Sequence, residues 1–381
     1  MNKDVLVMIP GPTPVVESIC QEMGRSVQAF GDPRFVADYK GLIDDLGALY
    51  NCSGVTFPLA GTGTLAMEMA IANTTKRGDN VLIVSNGFFG DRFIDICQRK
   101  GLNVDVISAE WGTYVTAEQI DKKLSEKDYA AMTVTHVDTS TAVVAPIAEI
   151  GEVVKKYPNT VYILDGVAAT AGEYADVDGM GIDVMFTASQ KAFGVSPGMF
   201  ILWAGKKALE RRKTLGVIPE YFVDFDKWIP IMENPAKYFA TPAVNLVWAM
   251  KESVRIIKEE GLKERAARHR KNADAIVKAL ESIGFKTLAN ADCRASTLTV
   301  AIYPEGVDDA KFRSTMYAEG VVCANALASY LGKAFRLGHM GNITENEIVV
   351  GLSAVERSLK ACGVEVEMGK AVGVYLSEIR K

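Results

Sequence analysis

From Val55 to Ala204, short runs of β-branched and apolar residues alternate with longer stretches whose apolar positions recur every three to four residues. The short runs predict buried strands over 55–59, 81–85, 103–108, 131–135, 161–164, 183–187 and 199–203. The longer stretches predict helices over 63–74, 88–100, 116–124 and 146–157. Such alternation predicts an α/β protein whose mostly parallel, seven-stranded sheet is covered on both faces. Upstream, 14–50 reads as two helices separated by Gly31-Asp32-Pro33. Downstream, 205–240 reads as irregular, with Trp228, Pro230 and Pro235 marking loops. A long helical stretch then follows Pro242 and breaks near Gly261.

The rhythm changes from about 263. A helix over 263–284, a strand over 297–303, a helix over 308–318, short strands over 321–323 and 335–337, and a helix over 344–361 predict a second, α+β unit. Its size, roughly 115 residues, is ordinary for a domain. The predicted division is a large unit, 14–262, and a small unit, 263–381, grouped with the N-terminal 1–13. Ligands of doubly covered parallel sheets collect beyond the carboxyl ends of the strands, so the loops there are the places to look for chemistry.

Composition narrows the partners. Lys and Arg number 42 against 47 Asp and Glu, a net charge of −5, which offers no electrostatic attraction to nucleic acid or an anionic membrane. No apolar run approaches the roughly 20 residues of a membrane span, and the run from Val5 to Ile9 is too short for a signal peptide. The six cysteines form no CxxC pair, and with three histidines they make no zinc pattern. Scattered single thiols read as reduced, and the expected location is the cytoplasm.

Two strand ends carry the strongest chemical signal. Val161-Tyr162-Ile163-Leu164 delivers Asp165, and the run through Phe186 leads to Ser189-Gln190-Lys191. An amine and a carboxylate on neighbouring strand ends are what pyridoxal phosphate requires: the lysine bonds its aldehyde, and the acid keeps the pyridine nitrogen protonated. Thr62-Gly63-Thr64 follows the first strand and opens a helix, which suits a phosphate. The stretch Gly61-Thr62-Gly63-Thr64-Leu65-Ala66 also matches a weak dinucleotide fingerprint, but the next strand ends in Ser85-Asn86, without the acid a ribose needs. Of Phe88 and Phe89, one is expected to anchor the core; either ring could stack on a flat cofactor. The hydroxyls of Thr139 to Thr141 could reach such a ring or simply cap a loop. Thr241 reads as a helix N-cap with Pro242 in the first turn. Arg336, in a short apolar strand, needs an anion: a substrate carboxylate or an internal acid.

In order and spacing these segments resemble the class V aminotransferases of the pyridoxal phosphate type I fold, and most of all the alanine–glyoxylate and serine–pyruvate branch. The likeness covers nearly the whole chain, from Pro10-Gly11-Pro12 to Phe335-Arg336-Leu337-Gly338-His339. It implies that Lys191 binds the cofactor and shuttles a proton, that Asp165 meets the ring nitrogen, and that Phe89 stacks on the ring. It implies Thr139 at the ring oxygen, and Thr62, Gly63, Thr64 and Gln190 at the phosphate. Tyr238 and Thr241 would complete that phosphate site from a second subunit, so a homodimer is implied. Arg336 would clamp the substrate carboxylate, and the Gly11 loop would line the pocket. The implied reaction moves an amino group from alanine or serine to glyoxylate or pyruvate. Alternatives on the same scaffold are another amino donor (ureidoglycine, an aminophosphonate or a pyridoxamine-like amine) and a cysteine desulfurase using Cys323. Cys323 lies in an apolar run and reads as a core residue. Where the branch often has tryptophan and histidine, this chain has Phe89 and Thr64.

Overall fold

The computed structural model describes residues 5–381. Seven strands form the large sheet in the order Val55–Ala60, Met199–Ala204, Val184–Ala188, Val161–Asp165, Ala131–Thr135, Asn80–Ser85, Asn103–Ser108. Met199–Ala204 is antiparallel to both its neighbours, and the other pairings are parallel. The reversal follows from the connection: Ser189 to Gly198 is too short for a crossover helix. The central strands are buried on both faces, as their unbroken apolar runs predict.

Helices Gly63–Thr74, Phe88–Lys100, Ala117–Leu124 and Ile147–Val154 follow successive strands. Before the sheet come Glu17–Met23 and Pro33–Leu49, the latter capped by Asp32, whose carboxylate accepts from the Arg34 N–H at 2.9 Å. The segment 205–240 is not irregular throughout. Lys206–Lys213 and Phe225–Glu233 are helical, and Pro230 lies inside the second. Asp224 caps that helix, and the buried face of Phe225, Trp228, Ile231 and Met232 outweighs the donor that Pro230 lacks.

The smaller C-terminal α+β region has a four-stranded antiparallel sheet in the order Lys286–Thr287, Leu298–Ile302, Ala334–Gly338, Ala324–Asn325. Helices Leu262–Ser282, Asp309–Ala318 and Glu345–Ala361 pack on it, with Lys370–Glu378, an element the apolar pattern did not disclose. Val321–Val322 pairs in parallel with Leu6–Val7 from the N-terminus. Met8 is fully buried in the second core beside Leu337 and Leu352, and its carbonyl accepts from the Gly338 N–H at 2.8 Å. Burying such a side chain contributes roughly 1.5–3 kcal/mol, so the N-terminal segment is fastened here. Among the described residues no helix is long and apolar enough to cross a membrane.

Candidate active site

A cavity of about 180 Å³ lies at the carboxyl ends of the central strands, lined by Asp165, Lys191, Thr135, Thr139, Phe89 and the Thr62–Thr64 turn among others. The Val161–Asp165 and Val184–Ala188 strands are parallel neighbours, with Asp165 opposite Phe186. That pairing brings the acid and the lysine loop to one edge. A larger groove of about 500 Å³ between helices Glu17–Met23, Pro33–Leu49 and Val244–Glu260 is a different matter. Its charges are paired with one another, as in Lys251–Asp38, Lys258–Asp45 and Arg255–Glu252.

Asp165 is 4% exposed, and one carboxyl oxygen accepts from the Val167 N–H at 2.9 Å. Burial pushes its pKa up to about 7; the Val167 hydrogen bond and the charges of Lys191 and Arg92 oppose this, while nearby Asp138 adds to it. Burial also pushes the Lys191 amine down to about 8, helped by the charge of Arg336 and resisted by Asp165. The amine therefore yields a free base near neutral pH far more readily than a surface lysine. It donates to the Pro10 carbonyl. Gly11 makes that approach possible: at φ +104° a Cβ here would stand 2.6 Å from Lys191 Cδ. Thr13 completes the lacing, its N–H donating to the Gln190 carbonyl at 3.0 Å and its hydroxyl to the Lys191 carbonyl at 2.9 Å.

The Gly63–Thr74 helix begins at the cavity wall. Thr62 caps it by accepting from the Leu65 N–H at 3.3 Å, and the first-turn N–H groups of Gly63 and Thr64 have no acceptor within the helix. At Gly63 a Cβ would lie 2.9 Å from Val167 Cγ2, so only glycine lets the backbone sit this close. Thr62 and Thr64 are exposed, leaving this end of the cavity open, and Gln190 lines it.

Phe89 lines the cavity, whereas Phe88 is 43% exposed, so neither ring anchors the core as expected. The cause is Asp138, a residue the sequence reading passed over. Fully buried, it accepts from the Phe89 and Gly90 N–H groups at 2.9 and 3.1 Å and from the Ser140 N–H and hydroxyl at 2.9 and 2.6 Å. It thereby caps the Phe88–Lys100 helix from another loop and turns both rings away from the interior. The same bonds tie Phe89 to the next residue in that loop, Thr139, which is 4% exposed. Arg336 donates to the carbonyls of Asn325 at 2.8 Å and Thr139 at 3.3 Å, and no acid lies within ion-pair distance of it among the described residues. The direct ion pair considered for it is therefore not formed, although the charge of the buried Asp138 acts on it from a distance. Arg92 is a second residue the sequence did not single out; it lines the cavity and donates to the Thr64 hydroxyl at 3.1 Å.

Tyr238 and Thr241 do not enter this chain's cavity. Both are exposed, with their hydroxyls 3.4 Å apart. Thr241 is not an N-cap: the helix starts at Val244, behind Ala243, and Asn245 pins its first turn to the carbonyls of Met23 and Arg25 at 2.7 Å. Cys323 is 8% exposed in the second core, and burial pushes its thiol up to about 12.

The residues fit pyridoxal phosphate. A buried amine with a lowered pKa suits an aldehyde, a buried acid suits a pyridinium, and a donor-rich helix start suits a phosphate. The Thr135 hydroxyl, 2% exposed and without a partner in the chain, also calls for a polar occupant. Comparison with known proteins agrees. The Aminotransferase class-V family model matches residues 51–334. An uncharacterized aminotransferase of Methanocaldococcus jannaschii is 36% identical over 95% of this chain and 94% of its own length. The crystal structure of an alanine–glyoxylate aminotransferase from Nostoc sp. superposes with a TM-score of 0.90 at 30% identity, covering 93% of this chain and 95% of that one. That of the ureidoglycine–glyoxylate aminotransferase from Bacillus subtilis does so with a TM-score of 0.94 at 26% identity, covering 99% and 98%. Fold, cavity chemistry and kinship thus converge, and the chain belongs to the class V aminotransferases, pyridoxal phosphate-dependent enzymes of fold type I.

Proposed function

We propose that this enzyme moves an amino group from a small amino acid, alanine or serine, to a small 2-oxo acid, glyoxylate or pyruvate, by a ping-pong mechanism. The observation that carries the proposal is the meeting of Lys191 and Asp165 in one cavity, with Arg336, which has no direct ion pair, bonded to the carbonyl of the cavity residue Thr139. Bound pyridoxal phosphate supplies an aldehyde to carry the amino group and a ring to accept electrons. Lys191 would hold that aldehyde and, once freed by the substrate amine, would be the base that moves the proton at the substrate Cα. Asp165 would meet the ring nitrogen; a cationic neighbour there would favour its charged form, and it would in turn keep the nitrogen protonated. Arg336 turns its planar fork from two backbone carbonyls to the substrate carboxylate. Thr139 would donate to the ring oxygen, and Phe89 would cover the ring face. Thr62, Gly63, Thr64 and Gln190 would hold the phosphate, with Tyr238 and Thr241 of a second copy closing its open end in a homodimer. Gly11 leaves room for the lysine to swing. The proposed working units are 14–262 and 263–381, the latter with 1–13, of which 1–4 lie outside the described residues.

The alanine and glyoxylate assignment leans on the likeness to the alanine–glyoxylate aminotransferase from Nostoc sp.. A second donor, ureidoglycine, is favoured by the likeness to the Bacillus subtilis enzyme. Desulfurase chemistry is disfavoured because Cys323 is buried and its thiol is held protonated. Incubating the enzyme with glyoxylate and a panel of amino donors, and measuring the keto acid formed, tests the reading. Alanine should give pyruvate and Lys191→Ala should give none. Full activity in that variant, or no transfer from any donor, would sink the proposal.

A further inference from the structure

The phosphate site just proposed has a deficit. A phosphate monoester carries about −1.5 to −2 charges at neutral pH. Thr62, Gly63, Thr64 and Gln190 offer it neutral donors only, and a helix N-terminus adds about half a positive charge. Of the residues lining the cavity, two are cations, Lys191 and Arg92, and the lysine is committed to the aldehyde. Arg92 stands on the first turns of the Phe88–Lys100 helix. No acid lies within ion-pair distance of it among the described residues. Its guanidinium is instead held by the Thr64 hydroxyl at 3.1 Å and by the Phe89 ring, whose centroid is 4.9 Å away. An unpaired guanidinium, one hydroxyl from an anion cradle and braced against an aromatic face, is a charge waiting for an anion.

We propose that Arg92 is the counter-charge of the cofactor's phosphate, and that by bracing Phe89 it couples phosphate capture to the orientation of the stacking ring. This rests on the cofactor-binding reading above. It explains how Thr64 serves at that position: its hydroxyl orients the arginine while its N–H faces the phosphate. It also assigns Arg92 a preference for phosphorylated over unphosphorylated forms of the same ring.

The test is binding of two ligands to cofactor-free protein, followed by quenching of intrinsic fluorescence. Pyridoxal phosphate and pyridoxal differ only in the group that Arg92 is held to recognise. In Arg92→Gln the dissociation constant for pyridoxal phosphate should rise by about tenfold or more, while that for pyridoxal stays within about twofold. Inorganic phosphate should compete with pyridoxal phosphate for the wild type and much less for the variant. Arg92→Lys, which keeps the charge, should recover part of the loss and serves as the second variant should glutamine disturb folding. Equal losses for both ligands would mean that Arg92 acts only through Phe89, and unchanged affinities would mean that it plays no part; either overturns the inference. Failure of the wild type to bind pyridoxal phosphate would instead strike the cofactor reading beneath it.

Discussion

Replacing Asp165 with asparagine separates what this carboxyl does for the fold from what it does for the chemistry. The side chain keeps its size, and its oxygen can still accept from the Val167 N–H that now stands 2.9 Å away. What is lost is a buried charge. Burial moves the pKa from 3.8 to about 7, and at roughly 1.4 kcal/mol per pH unit an ionised Asp165 costs the cofactor-free protein about 4 kcal/mol above pH 7. Its folded-state pKa lies above the unfolded one, so the folded protein binds the extra proton between about pH 4 and 7. Stability therefore falls as pH rises through that window and is lowest above it. Cofactor-free Asp165→Asn should lack this slope and, at pH 8, be more stable than the wild type by about 2–4 kcal/mol, the remainder going to desolvation of the amide. The gap should close by about pH 4. Urea unfolding of both proteins across this range reads the difference directly. Turnover should fall at least about a hundredfold, because the ring nitrogen loses its charged partner. Parallel pH profiles, or a variant less stable at pH 8, would refute the account of a carboxyl kept buried for its ligand.

Other outcomes follow from the same geometry. Asp138→Ala strips the Phe89, Gly90 and Ser140 N–H groups of their buried acceptor; it should cost about 2–4 kcal/mol in urea unfolding and raise the cofactor dissociation constant, since Phe89 and Thr139 lose their common anchor. Gly11→Ala puts a Cβ against Lys191 Cδ at φ +104°; it should lower stability by about 1–3 kcal/mol and slow the absorbance change as Lys191 bonds the aldehyde, measured by stopped flow. A site shared between subunits predicts complementation: Lys191→Ala and Tyr238→Ala proteins, each inactive, should regain activity when unfolded and refolded together. Refolded mixtures as inactive as their components would rule the shared site out.

The sequence disclosed the sheet and its catalytic edge because both depend on short-range signals. Unbroken apolar runs mark the buried strands, and Asp165 and Lys191 stand where two of those runs stop. Residues whose roles depend on distant partners were silent. Asp138 reads as one more polar loop residue until the helix it caps, which starts 50 positions earlier, folds against it. Arg92 looks like any charge on a helix surface, and only the chain path brings it to Thr64. One of Phe88 and Phe89 is expected to anchor the core, yet with that cap in place Phe88 is exposed and Phe89 lines the cavity. Local rules also misled: Pro230 suggested a loop, but the apolar face of its helix prevailed, and Thr241 had the chemistry of a cap three residues before the helix begins.

The N-terminal segment has a consequence for biosynthesis. Pro10, Gly11 and Thr13 surround the lysine, yet they leave the ribosome long before Gln190 and Lys191 do. The strand and the hydrogen bond that fasten the same segment use Val321–Val322 and Gly338, later still. A growing chain can thus complete its central sheet while the wall around the amine is unfinished. The pocket's own lining, drawn from 62–191, is made before the segment that packs against its lysine is fastened, so a chain released early should take up the coenzyme with its amine less firmly held.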